Sequence, residues 1–217
     1  MLIRLDGSLW AYGQNNRGQL GQNNTTTYSS PVQVGTSSWT SVSAGDTHTM
    51  AVRLGGSLFG WGLNTSGQLG QNDTIARSSP VQLSSAGISY TLINTKTNNT
   101  TFFGGNGFIL ATGSNTAGML GIGNTLNRSN PVQIPGTWSK VDVGSNHTLA
   151  INNLGQLYTW GLNSGFQLGL PDGVSRSSPT QVAGSWVAAS GGRGNSLQNS
   201  VGIKSDRTGW AWGINSS

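Results

Sequence analysis

Few residues in this 217-residue chain can do chemistry: two histidines, six aspartates, no glutamate and no cysteine. His48 and His147 open the same short phrase, His48-Thr-Met-Ala-Val52 and His147-Thr-Leu-Ala-Ile151. As functional groups they would be metal ligands or general bases. Two imidazoles a whole period apart do not converge on one ion, so each reads as a hydrogen-bonding peg that ties neighbouring strands. Asn99 stands at the same place in the intervening period, which suits a peg better than a base. Asp73, Asp172 and Asp206 are isolated from one another, whereas calcium needs several oxygens at one site. No Gly-x-x-x-x-Gly-Lys-[Ser/Thr] loop, nucleophile elbow or paired carboxylate occurs. The absence of cysteine removes disulfides, thiolate nucleophiles and cysteine-built metal sites. The expectation is a chain with no catalytic residues, no metal and no cofactor.

Composition narrows the class further. Only 8% of the residues are charged, and 34 are glycine. Such a chain, with no Glu and little Lys or Ala, is poor in the residues that build helical bundles. The net charge of +5 hints at nucleic acid, but the positives are scattered singly from Arg4 and Arg17 to Lys204 and Arg207. DNA binding needs several phosphate contacts on one face, so nucleic acid is not an expected partner. No apolar run reaches the roughly 20 residues of a membrane-spanning helix, and no signal peptide is visible.

What positions the remaining residues is a repeat. A glycine-bounded phrase recurs five times: Gly7-Ser-Leu-Trp-Ala-Tyr-Gly13, Gly56-Ser-Leu-Phe-Gly-Trp-Gly62, Gly107-Phe-Ile-Leu-Ala-Thr-Gly113, Gly155-Gln-Leu-Tyr-Thr-Trp-Gly161 and Arg207-Thr-Gly-Trp-Ala-Trp-Gly213. The closing glycines are 49, 51, 48 and 52 residues apart. Two residues after the first four stand Asn15, Asn64, Asn115 and Asn163, which read as turn formers bonding their own backbone. Eighteen residues after the same glycines stand Pro31, Pro80, Pro131 and Pro179. A third anchor leads from Trp39 to Gly45 and from Trp138 to Gly144, with Tyr90 and Trp186 at the matching places.

Each period holds four short β-rich runs, in the second case residues 41–44, 49–53, 57–61 and 80–83. Four antiparallel strands in about 50 residues make a β-propeller blade. The small residues of the first run suit an innermost strand. The proline-led run suits an outer edge, because proline cannot donate into a ladder. Trp10, Trp61, Trp160 and Trp212 are expected on the third strand, filling the wedge between blades. The fold expected is all-β: about four blades of four antiparallel strands, as a partial or open propeller or as part of a seven-bladed ring. The whole chain, 1–217, reads as one propeller segment with repeats at 1–38, 39–87, 88–137, 138–185 and 186–217. The first and last are incomplete.

These phrases, Leu-Trp-Ala-Tyr-Gly with its following Gly-Gln-Leu-Gly, Ser-Ser-Pro-Val-Gln-Val and Trp-x-x-Val-x-Ala-Gly-x-x-His-Thr-x-Ala-Val, resemble the repeats of the regulator of chromosome condensation family, of the bacterial or phage kind. The resemblance covers essentially the whole chain. It implies a seven-bladed propeller that acts through protein–protein contacts, including nucleotide exchange on a small GTPase and inhibition of bacterial enzymes. No counterpart of an exchange wedge is present, so exchange is not carried over.

Function is then sought where the repeat is broken, since packing does not dictate those residues. The turn between first and second strands should share a face with the loop after the third, and it varies between blades. Its candidate partner-contact residues are Asp46, Thr47, Lys96, Asn98, Ser145, Asn146, Arg193 and Asn195. The reading is a non-catalytic interaction or structural module whose partner is another protein, copies of itself included. The low charge and polar surface resemble cell-surface or virion proteins, which implies an extracellular, cell-surface or virion location. The alternatives are a chromatin- or GTPase-regulating propeller and a carbohydrate-binding one.

Overall fold

The computed structural model describes residues 1–83, 90–95, 98–104, 107–192 and 199–214. All regular structure among them is β. The strands are β1 (Leu2–Ile3), β2 (Leu9–Gly13), β3 (Tyr28–Gln33), β4 (Trp39–Ala44), β5 (His48–Arg53), β6 (Leu58–Gly62), β7 (Arg77–Gln82), β8 (Tyr90–Thr95), β9 (Asn99–Gly104), β10 (Ile109–Gly113), β11 (Arg128–Ile134), β12 (Trp138–Val143), β13 (His147–Asn152), β14 (Gln156–Gly161), β15 (Arg176–Gly191), β16 (Asn199–Lys204) and β17 (Gly209–Gly213). The sheets are simple meanders in the orders β1-β2-β3, β4-β5-β6-β7 and β11-β10-β9-β8. The order β12-β13-β14-β15-β16-β17 joins the last two blades through one long strand. Residues 176–185 of β15 pair with β14 as an outer strand, and Trp186–Gly191 pairs with β16 as an inner one.

Each outer strand starts before its proline: β7 begins at Arg77 and passes through Pro80. The ladder slips between Gly60 and Gly62 opposite this stretch, so proline lies at an irregularity on a sheet edge, where its missing N–H is tolerated. The chain forms two compact units: residues 1–106, 110–114 and 127–132 in one, and 107–109, 115–126 and 133–217 in the other.

In the first unit, Leu9, Ala11, Leu20 and Val34 of the first blade bury against Trp39, Phe59 and Trp61 of the second. Met50, Val52, Leu58, Leu69 and Leu83 of the second bury against Tyr90 and Phe102 of the third. In the second unit, Leu149, Ile151 and Leu157 meet Trp186, with Trp212 alongside. The period-2 alternation of each middle strand thus supplies both faces of a blade.

The third-strand aromatics fall in two sets. Register pairs Trp10 with Leu2 as it pairs Phe59 with Ala51 and Trp210 with Gly202. Trp10 therefore takes the place of Phe59, and Tyr12 takes that of Trp61, which corrects the grouping of Trp10 with Trp61, Trp160 and Trp212. The latter three do enter the junctions. Their indole N–H groups donate to the carbonyls of Gln19, Met119 and Gln167 at 2.9, 3.0 and 2.9 Å. Loop glycines make room for the rings: a Cβ on Gly121, at φ 69°, would lie 2.7 Å from Trp160 Nε1.

Candidate functional site

The two histidines are built into the blade junctions. His48 Nε2 lies 2.9 Å from Thr100 Oγ1, and that hydroxyl donates to the Gln68 carbonyl at 2.9 Å. Because the hydroxyl proton is spent on the carbonyl, the imidazole must donate, which fixes the neutral Nε2–H tautomer. His147 repeats the arrangement: Nε2 is 2.8 Å from Ser200 Oγ, which donates to the Gln167 carbonyl at 2.8 Å. Burial pushes both imidazoles down to about 4, against the opposing pull of Asp46 on His48 and of Asp142 on His147. The peg reading is right in kind for the two histidines, whose tie runs to the next blade, but Asn99 at the matching place is buried with no side-chain hydrogen bond among the described residues, so it does not act as a peg. The hydroxyl partners were missed. Their signal was present, since each His or Asn is followed by Thr49, Thr100, Thr148 or Ser200.

Asn15, Asn64, Asn115 and Asn163 are fully buried. Their carbonyl oxygens accept from the N–H of Leu20, Leu69, Leu120 and Leu168, each five residues on, at 2.8 to 3.0 Å. Asn15, Asn64 and Asn115 also donate to the carbonyls of Asn24, Asp73 and Asn124. They staple whole loops, rather than bonding their own backbone two residues on. In these loops the bond to the backbone two residues on is made instead by Asn24, Asp73, Asn124 and Asp172, which accept from the N–H groups of Thr26, Ile75, Leu126 and Val174. Asp73 and Asp172 also pair with Arg77 and Arg176 at 2.6 and 2.5 Å.

With the recurrent polar residues accounted for, the variable turns remain. Asp46 is exposed, while Thr47, Asn98, Ser145 and Asn146 are half-buried. The carbonyls of Thr47, Asn98 and Asn146 accept from the N–H of Leu63, Ser114 and Leu162 at 2.9, 2.8 and 2.8 Å. In each of those blades the first turn and the loop after the third strand therefore share one end. Gly45 and Gly144 close their turns by donating to the carbonyls of His48 and His147. Ser145 reaches the next turn through its N–H, which donates to the Gly192 carbonyl at 3.1 Å. Asp142 accepts from Ser190 Oγ and the Gly191 N–H, tying adjacent inner strands. Lys96, Arg193 and Asn195 lie outside the described residues. The turns are thus rigidly mounted, and their side chains are not consumed alike.

The tryptophans offer little to a sugar. Trp39, Trp61, Trp138, Trp160 and Trp186 are buried. Trp10 is half-buried and Trp210 is exposed, and Arg4 and Lys204 stack over their rings at 4.0 and 3.8 Å.

The regulator of chromosome condensation (RCC1) repeat model matches residues 6–52, 55–89, 106–151 and 155–197, and a second RCC1 repeat model matches 39–68 and 138–167. Among solved structures, human WBSCR16 is similar with a TM-score of 0.78 and 24% identity, over 88% of this chain and 52% of that one. Prp20p from Saccharomyces cerevisiae, described with its binding to Gsp1p and histones, gives 0.78 and 20%, over 88% and 51%. Yeast RCC1 (Prp20) bound to Kap60 gives 0.78 and 17%, over 97% and 53%. The chain thus spans about half the length of these propellers. No curated protein matches its sequence significantly. The blades, their junction bonds and the matched residues lead to one assignment: this chain belongs to the regulator of chromosome condensation (RCC1) repeat family.

Proposed function

We propose that the chain is a non-catalytic protein-interaction module that presents its varied inter-strand turns to a protein partner. The observation that carries this is the mounting of the turns. Thr47, Asn98 and Asn146 are locked through their carbonyls, while the side chain at that place is Thr in one blade and Asn in two, and the one before it is Asp46 in one blade and Ser145 in another. Lys96, Arg193 and Asn195 extend the same set in sequence. The low charge and the surplus of Ser, Thr, Asn and Gln support a component of a cell surface or a virion, of the bacterial or phage kind. The net charge of +5 supports a second reading, a chromatin- or GTPase-regulating propeller. DNA binding that survives moderate salt would favour it.

The test is crosslinking with mass spectrometry in extracts of the source cells. Wild type is compared with a turn variant (Asp46→Arg, Asn98→Arg and Asn146→Arg) and with a control at the opposite hairpin, Leu54→Arg, whose side chain is exposed. A partner captured by wild type and the control, and at least tenfold less by the turn variant, supports the proposal. Equal capture by the turn variant, or loss only in the control, overturns it.

A further inference from the structure

A pairing of ring and cation recurs within the blades, and the fourth blade breaks it. Trp10, Phe59, Tyr158 and Trp210 hold one place on the third strand, three residues before its closing glycine. Register sets them opposite Leu2, Ala51, Ala150 and Gly202. Two residues past each of those partners stand Arg4, Arg53, Asn152 and Lys204. In three blades the cation stacks over the ring: Arg4 over Trp10 at 4.0 Å, Arg53 over Phe59 at 5.3 Å and Lys204 over Trp210 at 3.8 Å. The third blade has neither member, with Leu110 at the ring place and Gly104 at the cation place. The fourth keeps the ring, Tyr158, and puts Asn152 in place of the cation.

Tyr158 is nevertheless presented as Phe59 is. Trp138 packs against it edge-on, with ring centroids 5.4 Å apart at 81°, and Trp39 packs against Phe59 at 5.3 Å and 80°. The side chain of Asn152 is spent on the hairpin of residues 152–156. Its amide donates to Gln156 Oε1 at 2.8 Å, and its oxygen accepts from the N–H groups of Leu154 and Gln156, both at 3.0 Å. Beside Tyr158 opens a cavity of about 540 Å³, lined also by Pro135, Thr137, Trp138, Ser178 and Pro179. That volume falls within the roughly 300–1,000 Å³ of ligand pockets. None of the lining residues is charged, and among the described residues no cation stacks over Tyr158.

We infer that this pocket takes an arginine side chain of a partner protein, stacked over Tyr158 as Arg53 stacks over Phe59. The aromatic face attracts a guanidinium through its quadrupole, and walls without charge neither repel the cation nor neutralise it. The exposed Thr137 and Ser178 bring hydroxyl oxygens that can accept from the guanidinium fork. Arginine is also what the chain itself supplies at two of the three filled places, Arg4 and Arg53. Trp138 pairs with Asn152 at the hairpin end of the blade, whereas the turn of residues 144–146 lies at the other end. The pocket is therefore a second contact site beyond the turn surface, and it rests on the proposed function only in taking the partner to be a protein.

Titration of the chain with the blocked peptide acetyl-Gly-Arg-Gly-amide, followed by amide NMR shifts, tests the inference. The citrulline peptide keeps the shape and removes the charge, and tetramethylammonium carries the charge without the peptide. Three variants accompany the wild type: Tyr158→Leu, matching Leu110 of the third blade, Tyr158→Phe, matching Phe59 of the second, and Asn152→Arg, matching Arg53. Circular dichroism checks each fold. The expected result is saturable binding of the arginine peptide to wild type and to Tyr158→Phe. Binding should weaken at least about tenfold for the citrulline peptide, for Tyr158→Leu and for Asn152→Arg, whose own guanidinium fills the place. No saturable binding up to about 20 mM, or equal binding of the citrulline peptide, overturns it. So does full binding by Tyr158→Leu, or tighter binding of tetramethylammonium than of the arginine peptide, which would mark a site for a small organic cation. The citrulline comparison needs no variant, so a misfolded Tyr158→Leu leaves the test decisive. The turns of residues 46–47, 98 and 145–146 stay intact throughout. Peptide binding with turn-independent capture would thus uphold the pocket and refute the turn surface, and the opposite pair of results would do the reverse.

Discussion

Acid should loosen the blade junctions well before it titrates the carboxylates. His48 and His147 are neutral in the fold, with pKa values held near 4 by burial, against about 6.5 in an unfolded chain. Between these values the unfolded state binds one more proton per histidine than the folded state, so stability falls as the pH falls. The stabilisation is fully present above about pH 6.5 and is exhausted below about pH 4. A depression from 6.5 to about 4 corresponds to about 3 kcal/mol per imidazole. His48 and His147 lie in different compact units, so each unit bears its own loss. The charges that act on the pair are Asp46 and Asp142, and both oppose the depression. Urea denaturation followed by tryptophan fluorescence at pH 7.5, 6.5, 5.5 and 4.5 should show midpoints falling steadily over the lower three. A variant with His48→Asn and His147→Asn adopts the residue that holds the same place at Asn99, and it should be flatter across this range. Equal midpoints from pH 7.5 to 4.5 in wild type, or an unchanged slope in the variant, would refute the junction chemistry.

Two further outcomes follow from the loops. Asn64→Ala removes the acceptor of the Leu69 N–H and the donor to the Asp73 and Ile75 carbonyls at a fully buried position. It should cost about 2–3 kcal/mol in urea denaturation, while Asn16→Ala, at an exposed place beside the equivalent Asn15 of the first blade, stays within about 0.5 kcal/mol of wild type. Gly67→Ala sets a Cβ 2.4 Å from Ser129 Cα at φ 81° and should cost about 3 kcal/mol. Phe166→Ala at the matching place should cost less than about 1 kcal/mol, because that place already accommodates a side chain. Similar losses from both would show that the close approach of the Ser129 backbone is not what demands glycine at residue 67.

The fold was legible because its information is local and repeated. Glycine, asparagine and proline each sit at fixed offsets from one closing glycine, and each has a backbone reason to be there. What escaped was relational. Trp10 and Tyr12 lie two apart on one strand and so share a face. Aromatic character alone does not say which matches Trp61, and cross-strand register does. The partner of His48 is a hydroxyl 52 residues away, in a chain where serine and threonine are everywhere. Asn64 looked like a turn former because exposed asparagines usually are, and only its burial shows it to be a staple. Phe166 stood in the column of Gly18, Gly67 and Gly118, but its meaning needed the φ angle and the serine backbone pressed against those three.

This division also says where function can reside. The Nε2–H groups of His48 and His147, the Thr and Ser hydroxyls beside them, the indole N–H groups of Trp61, Trp160 and Trp212, and Asn15, Asn64, Asn115 and Asn163 spend their polar atoms on junctions and loop staples. A residue already bonded on one side to its own blade and on the other to the next has little left with which to recognise anything. Specificity is left to positions whose identity the repeat does not fix. The turn places hold Asp46 in one blade and Ser145 in another, on backbone held through the carbonyls of Thr47 and Asn146. Such places can vary without cost to the fold and so can be matched to an arbitrary protein surface.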